Sequence, residues 1–178
     1  MTQKAAKVKN FANRFKFSYY YVTEEDYKKI SNFKIASGDT EKDLVNQYVR
    51  GWISRNRQYY SDLAKHDAKC RGMSYADWAQ IVYFKGMKAL PEYIQALGSI
   101  PTDPLLNIPL YPDVSQKRVI NYITLAKENL IFLKVGIYYD GDNPVSYISR
   151  IVKEHLQRNW EKLYAPQIAA EDLTRWEF

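Results

Sequence analysis

The chain has 178 residues, 46% of them apolar and 26% charged, with a formal net charge of +6. That length allows one domain, or one domain with a small appendage, and that balance excludes disorder over most of the chain. Seven glycines and seven prolines supply too few turns for a many-stranded β protein, so the expected fold class is mostly α, a helical bundle-like domain with room for a short N-terminal strand.

Residues 1–16 form a basic N-terminal arm. Lys4, Lys7, Lys9, Arg14 and Lys16 are five positive charges with no acid among them, and removing those five from the 26 Lys and Arg leaves 21 against 20 acids. The excess therefore belongs to the arm, and a concentrated positive segment suits DNA or another polyanion. A solvated, frayed end explains the same charges. Phe17 to Val22 is a short aromatic run of high strand propensity. Thr23 followed by Glu24, Glu25 and Asp26 reads as a helix start, a capping hydroxyl and then acids against the positive end of the dipole. Tyr27, Ile30 and Phe33 form that helix's apolar face, and Ser37-Gly38 stops it.

A long helix begins at Asp39 or Thr40, with Leu44, Val45, Tyr48, Val49, Trp52 and Ile53 as a wide buried stripe and Arg50, Arg55 and Arg57 largely opposite. Ser74 and Asp77 resemble a capping arrangement that opens another helix carrying Trp78, Ile81, Val82 and Phe84. This first helical region runs over 17–97. Residues 98–114 carry Pro101, Pro104, Pro109 and Pro112 and form a proline-rich connector. In the second helical region, 115–178, packing on the same core, Ser115 is expected to open a helix bearing Val119, Ile120, Ile123 and Leu130. The stretch 131–139 fits helix or strand. Asp140 to Pro144 is a turn, and Val145 to Leu163 an amphipathic helix.

The single cysteine, Cys70, excludes an internal disulfide. No apolar segment follows the Met-Thr-Gln-Lys start, and no apolar run is long enough to span a bilayer, so the expectation is a cytoplasmic protein with no membrane association, or a virion protein if it comes from a phage. His66 and Cys70 could meet on one helix face, but the only other histidine is His155, too few ligands for a zinc site. Asp140 and Asp142 start like a calcium loop that Pro144 and a missing later glutamate contradict. No phosphate-cradling glycine loop, nucleophile elbow or paired-carboxylate motif is present, so no enzyme, cofactor or metal is expected. Sixteen tyrosines, several adjacent, cannot all face inward. At least one ring of each adjacent pair is left for a rim or an interface.

Residues 17–53 resemble the ribbon-helix-helix DNA-binding fold. Phe17 to Val22 stands as the ribbon, Thr23 as the cap of the first helix, Ile30 eight residues before Gly38, and Thr40 as the hydroxyl opening the second helix. The resemblance implies an intertwined dimer, a ribbon facing DNA and a phosphate held at the start of the second helix. Two departures stand out: Phe17, Tyr19 and Tyr21 are aromatic where the family places polar readers of base edges, and Asp39 is acidic beside the phosphate position. The expected function is non-enzymatic DNA binding in regulation or in plasmid or phage maintenance, through Lys4, Lys7, Lys9, Arg14, Lys16, Tyr19, Tyr21, Thr40, Arg50, Arg55 and Arg57. The alternative is a helical assembly subunit, such as a phage head–tail connector or part of a larger ribonucleoprotein, bound to protein partners or to copies of itself.

Overall fold

In the computed structural model, which describes residues 13–95 and 115–166, the protein is mostly α, with six α-helices and four short strands among the described residues. The strands are β1 (Arg14–Lys16), β2 (Tyr19–Val22), β3 (Gln116–Val119) and β4 (Tyr122–Thr124). The helices are α1 (Glu24–Ser37), α2 (Glu41–Arg55), α3 (Arg57–Cys70), α4 (Tyr75–Lys85), α5 (Lys127–Tyr139) and α6 (Pro144–Asn159). A 3₁₀ turn, Met87–Ala89, follows α4, and a π-helical turn, Trp160–Tyr164, follows α6. No helix of the described residues is long and apolar enough to cross a membrane. The connector 98–114 and the arm residues Lys4, Lys7 and Lys9 lie outside the described residues.

The described residues cluster into two units that interleave along the chain. The first takes 13–16, 50–95 and 124–144; the second takes 17–49, 115–123 and 145–166.

In the second unit, Thr23 caps α1 by accepting from the Asp26 amide at 3.1 Å, and Gly38 closes it at φ 78°, donating to Lys34 O. Ile30 and Phe33 are buried, as their spacing predicts; each contributes about 1.5–3 kcal/mol relative to exposure. Leu44, Val45, Tyr48 and Val49 of α2 are buried in the same unit, as are Tyr147, Ile148, Ile151 and Val152 of α6. The Tyr48 ring stacks on the His155 imidazole, with centroids 3.9 Å apart. Strand β2 pairs antiparallel with β3, placing Tyr19 opposite Val119 and Tyr21 opposite Lys117. This pairing overturns the helix expected from Ser115. Val119, Ile120 and Ile123 fit a helical spacing, yet they are β-branched residues that crowd a helix and suit a pleated surface. Here they form two strands broken at Ile120 and Asn121.

In the first unit, α5 packs against α3 and α4. The ambiguous stretch 131–139 is therefore helix, with Ile131, Phe132, Leu133, Val135 and Ile137 all buried. Its near-continuous apolarity is that of a helix surrounded by protein rather than of a strand. Ser74 caps α4 through the Asp77 amide at 3.2 Å, as predicted. Trp52 Nε1 donates to Tyr60 Oη at 2.8 Å, and Tyr60 stacks on Phe132. The center of polarity is Asp67, fully buried on α3: it accepts from Arg71 Nε (2.8 Å), Trp78 Nε1 (2.7 Å), Tyr93 Oη (2.8 Å) and Tyr139 Oη. Arg71 also donates to Pro91 O, and the amides of Ile94 and Gln95 donate to Cys70 O. These bonds fasten residues 91–95 to the end of α3. His66 and Cys70 stand one turn apart there, with Cys70 buried.

Candidate nucleic-acid interface

The alternation of β2 decides which tyrosines face outward. Tyr20 and Val22 are fully buried, so Tyr19 and Tyr21 project from the opposite face. In an antiparallel pair, directly opposed residues share a face. Lys117 and Val119 therefore stand beside Tyr21 and Tyr19, and both are exposed. The Tyr19 and Tyr21 rings meet edge to face at 5.3 Å, and Lys117 Nζ sits 4.1 Å from the Tyr19 ring centroid. A hydrogen bond shared with the Tyr19 phenol, with some burial, raises the Tyr21 phenol above its ordinary range. A phenol hydroxyl can donate as well as accept. Val119 is 67% exposed, an apolar residue left on an outward ribbon face.

The inner face of the ribbon is anchored by charge. Tyr20 Oη donates to Glu41 Oε1 at 2.6 Å, and Arg118 Nε reaches the same oxygen at 3.5 Å. Arg118 also donates to Tyr27 Oη at 2.5 Å and lies over the Tyr27 ring. Burial, then the Glu41 carboxylate, pushes the Tyr20 phenol well above its usual range. Along the outer edge of β2, the Tyr21 amide donates to Ser149 Oγ at 2.8 Å, and Ser149 in turn donates to Val145 O. A side chain of α6 thus occupies a backbone donor that an incoming strand would otherwise take.

Next to Val119 the ribbon leads into a cleft of about 310 Å³ lined by Thr40, Glu41, Lys42, Asn121 and Tyr122. Thr40 Oγ1 accepts from the Asp43 amide at 3.1 Å, so Thr40 caps α2 as the sequence implies. The first amides of that helix have no intrahelical acceptor and carry the positive end of its dipole. Glu41 is turned inward onto Tyr20 and Arg118, and Lys42 Nζ sits 3.4 Å from the Tyr122 centroid.

Of the residues singled out from sequence, Tyr19, Tyr21 and Thr40 are therefore brought onto one unit around Val119. Arg14, Lys16, Arg50, Arg55 and Arg57 belong to the first unit. Arg57 is engaged there by Glu128 and by the Phe132 ring, and Arg50 and Arg55 are exposed. Lys117, Lys42, Asn121 and Tyr122 were not singled out. Lys117 gains its place only through a pairing with a strand far away in sequence, and the expected helix over 115–130 hid that partner. Among the described residues no group of His, Cys, Asp and Glu is arranged to hold a metal ion. Comparison with family models, with curated proteins and with solved structures finds no match.

Proposed function

We propose that the protein binds nucleic acid, with DNA as the leading ligand, and catalyses no reaction on it. The observation that carries this reading is the outer ribbon face, where the half-buried Tyr19 and the exposed Tyr21 stand with Lys117 near the capped start of α2. A two-stranded ribbon fits a major groove, and exposed tyrosines beside a cation also stack on unpaired bases. Phosphates would be held by Lys117, Lys42 and the α2 amides at Thr40, with the basic arm adding sequence-independent attraction. Glu41 does not oppose a phosphate, because its charge is spent on Tyr20 and Arg118.

Fluorescence anisotropy on labelled duplex and single-stranded DNA across a salt series tests this. Wild type should lose affinity with a log–log slope of about −0.9 per phosphate contact on duplex or about −0.7 on single strands. Deleting residues 2–12, which spares β1 and the buried Phe15, should flatten the duplex slope by up to about 3 units, and Lys117→Ala by about 1. Tyr19→Ala with Tyr21→Ala should leave the slope in place and lower affinity by about 1–3 kcal/mol per stacked base on single strands. Wild-type protein without salt-dependent binding to either form ends the proposal. If it instead sediments as a salt-insensitive oligomer, the assembly-subunit reading takes its place.

A further inference from the structure

The first unit holds a cleft of about 560 Å³ that the nucleic-acid reading does not use. Its apolar wall includes Phe15, Met87 and Ile137, and Lys85, Lys88 and Lys134 also line it. The carboxylate of Asp142 lies at the same cleft, so its charged lining is three ammonium groups against one acid. A volume in the range of about 300–1,000 Å³ is that of small-molecule sites, too small for a folded partner.

Lys134 sets the chemistry. It is half-buried among the apolar residues of α5 beyond its polar first turn, and its Nζ donates to Val82 O at 3.1 Å and Tyr83 O at 2.8 Å, in the last turn of α4. No carboxylate pairs with it among the described residues. Burial lowers its affinity for a proton relative to an ordinary lysine. An ammonium has three donors, and the two carbonyls use two, so one N–H and an uncompensated positive charge remain in a partly desolvated place. Such a charge is costly without a counter-ion and is relieved by an anion that brings its own apolar body. A neutral apolar ligand would ignore Lys134, and a bare inorganic anion would leave Phe15, Met87 and Ile137 uncovered.

We propose that this cleft binds a small amphiphilic carboxylate, with the head group on Lys134 and the aliphatic or aromatic body against Phe15, Met87 and Ile137. Lys85 and Lys88, both exposed, favour approach of the anion rather than hold it.

Octanoate is the probe, with octan-1-ol and acetate as controls, titrated calorimetrically into the full chain. Octanoate should bind at one site per chain, and both controls at least tenfold more weakly. Lys134→Met keeps the apolar stem and should lower octanoate affinity roughly 10- to 100-fold, the value of a hydrogen bond to a charged group, with octan-1-ol binding unchanged. Since Lys134 also holds the end of α4, the exposed pair Lys85→Gln and Lys88→Gln provides a second arm: on a folded chain it should reduce octanoate affinity a few-fold at low salt and not at high salt. Methyl resonances of Met87 and Ile137 should shift on titration. The proposal is overturned by absence of saturable octanoate binding, by equal affinity for octan-1-ol, by indifference to Lys134→Met, or by shifts confined to other residues. None of these outcomes bears on DNA binding.

Discussion

Asp67→Asn removes one charge from a side chain around which the first unit is arranged. The carboxylate is fully buried, with Arg71 Nε and Trp78 Nε1 on Oδ2, and Tyr93 and Tyr139 on Oδ1. Arg71 and Trp78 can only donate, whereas each tyrosine hydroxyl can turn and accept. The new amide therefore settles with its oxygen toward Arg71 and Trp78 and its NH₂ toward the tyrosines. What is lost is the long Arg71 Nη2 bond to Oδ1, 3.4 Å, and the charge opposite an arginine that is only 6% exposed. Removing one partner of a buried pair costs about 3–5 kcal/mol; the retained amide oxygen places Asp67→Asn near the lower figure and Asp67→Ala near the upper. With a urea m-value of about 2 kcal/mol/M, the Asn variant should unfold about 1.5 M earlier. Tryptophan fluorescence and far-ultraviolet circular dichroism report the transition.

The same carboxylate predicts a pH signature. Burial alone would raise its pKa, but hydrogen bonds from Arg71, Tyr139, Trp78 and Tyr93 outweigh burial and hold it below the ordinary value of 3.8. A pKa lower in the folded state than in the unfolded means that the stabilisation is complete above the unfolded value and is lost as pH falls through the folded one. The gap between wild type and Asp67→Asn should be constant near neutrality and should narrow only in acid, below about pH 4. A gap under about 1 kcal/mol at pH 7, or one that widens in acid, refutes this account of Asp67.

Ser149→Ala leaves the Tyr21 amide without its side-chain acceptor and should cost about 1–2 kcal/mol in thermal unfolding while promoting self-association in sedimentation velocity; an unchanged melt and a monomer count against the edge-closing role. The two glycines flanking the stripe of α2 should respond with opposite signs. Gly38→Ala, at φ 78°, should destabilise by about 1 kcal/mol, whereas Gly51→Ala, inside α2 with only Nη1 of the exposed Arg55 side chain at 3.2 Å from the added carbon, should stabilise by about 0.5–1 kcal/mol in the same denaturation assay.

Helix starts were legible because they are local. Thr23 and Ser74 cap through amides three residues ahead, and Gly38 takes the left-handed conformation that its place after α1 requires. The stripe from Leu44 to Ile53 was legible for the same reason: helical period and burial coincide along one element. Residues 116–124 defeated local reading. Val119, Ile120 and Ile123 satisfy a helical spacing, and for Gln116–Val119 it is pairing with Tyr19–Val22 that decides for strand. Within the candidate interface, Tyr19 and Tyr21 could be found because adjacent tyrosines cannot share a face, while Lys117 depended on the unseen register. The basic residues Arg50, Arg55 and Arg57 were selected for charge alone, and the Arg57–Glu128 pair shows why charge alone is a weak criterion.

The tyrosine surplus bears on which aromatic residues are free to meet a ligand. A phenol combines a large apolar ring with one polar atom, so it can fill a core and still satisfy a buried charge. Tyr93 and Tyr139 do this for Asp67, Tyr20 for Glu41, and Tyr27 for Arg118. Tyr60 does it for the Trp52 indole, and Tyr48 covers the His155 ring. Those side chains are accounted for by stability, and replacing them would damage the fold before any binding. Tyr19 and Tyr21 are different. Their strand alternation turns them away from the core, and their neighbors on that face are Lys117 and the exposed Val119. These rings, Val119 and Lys117 steady the ribbon by their contacts with one another, and a face that meets bases and phosphates would use the same groups. On the nucleic-acid reading proposed above, the period of a single four-residue strand separates the tyrosines that would meet a ligand from those that hold the fold.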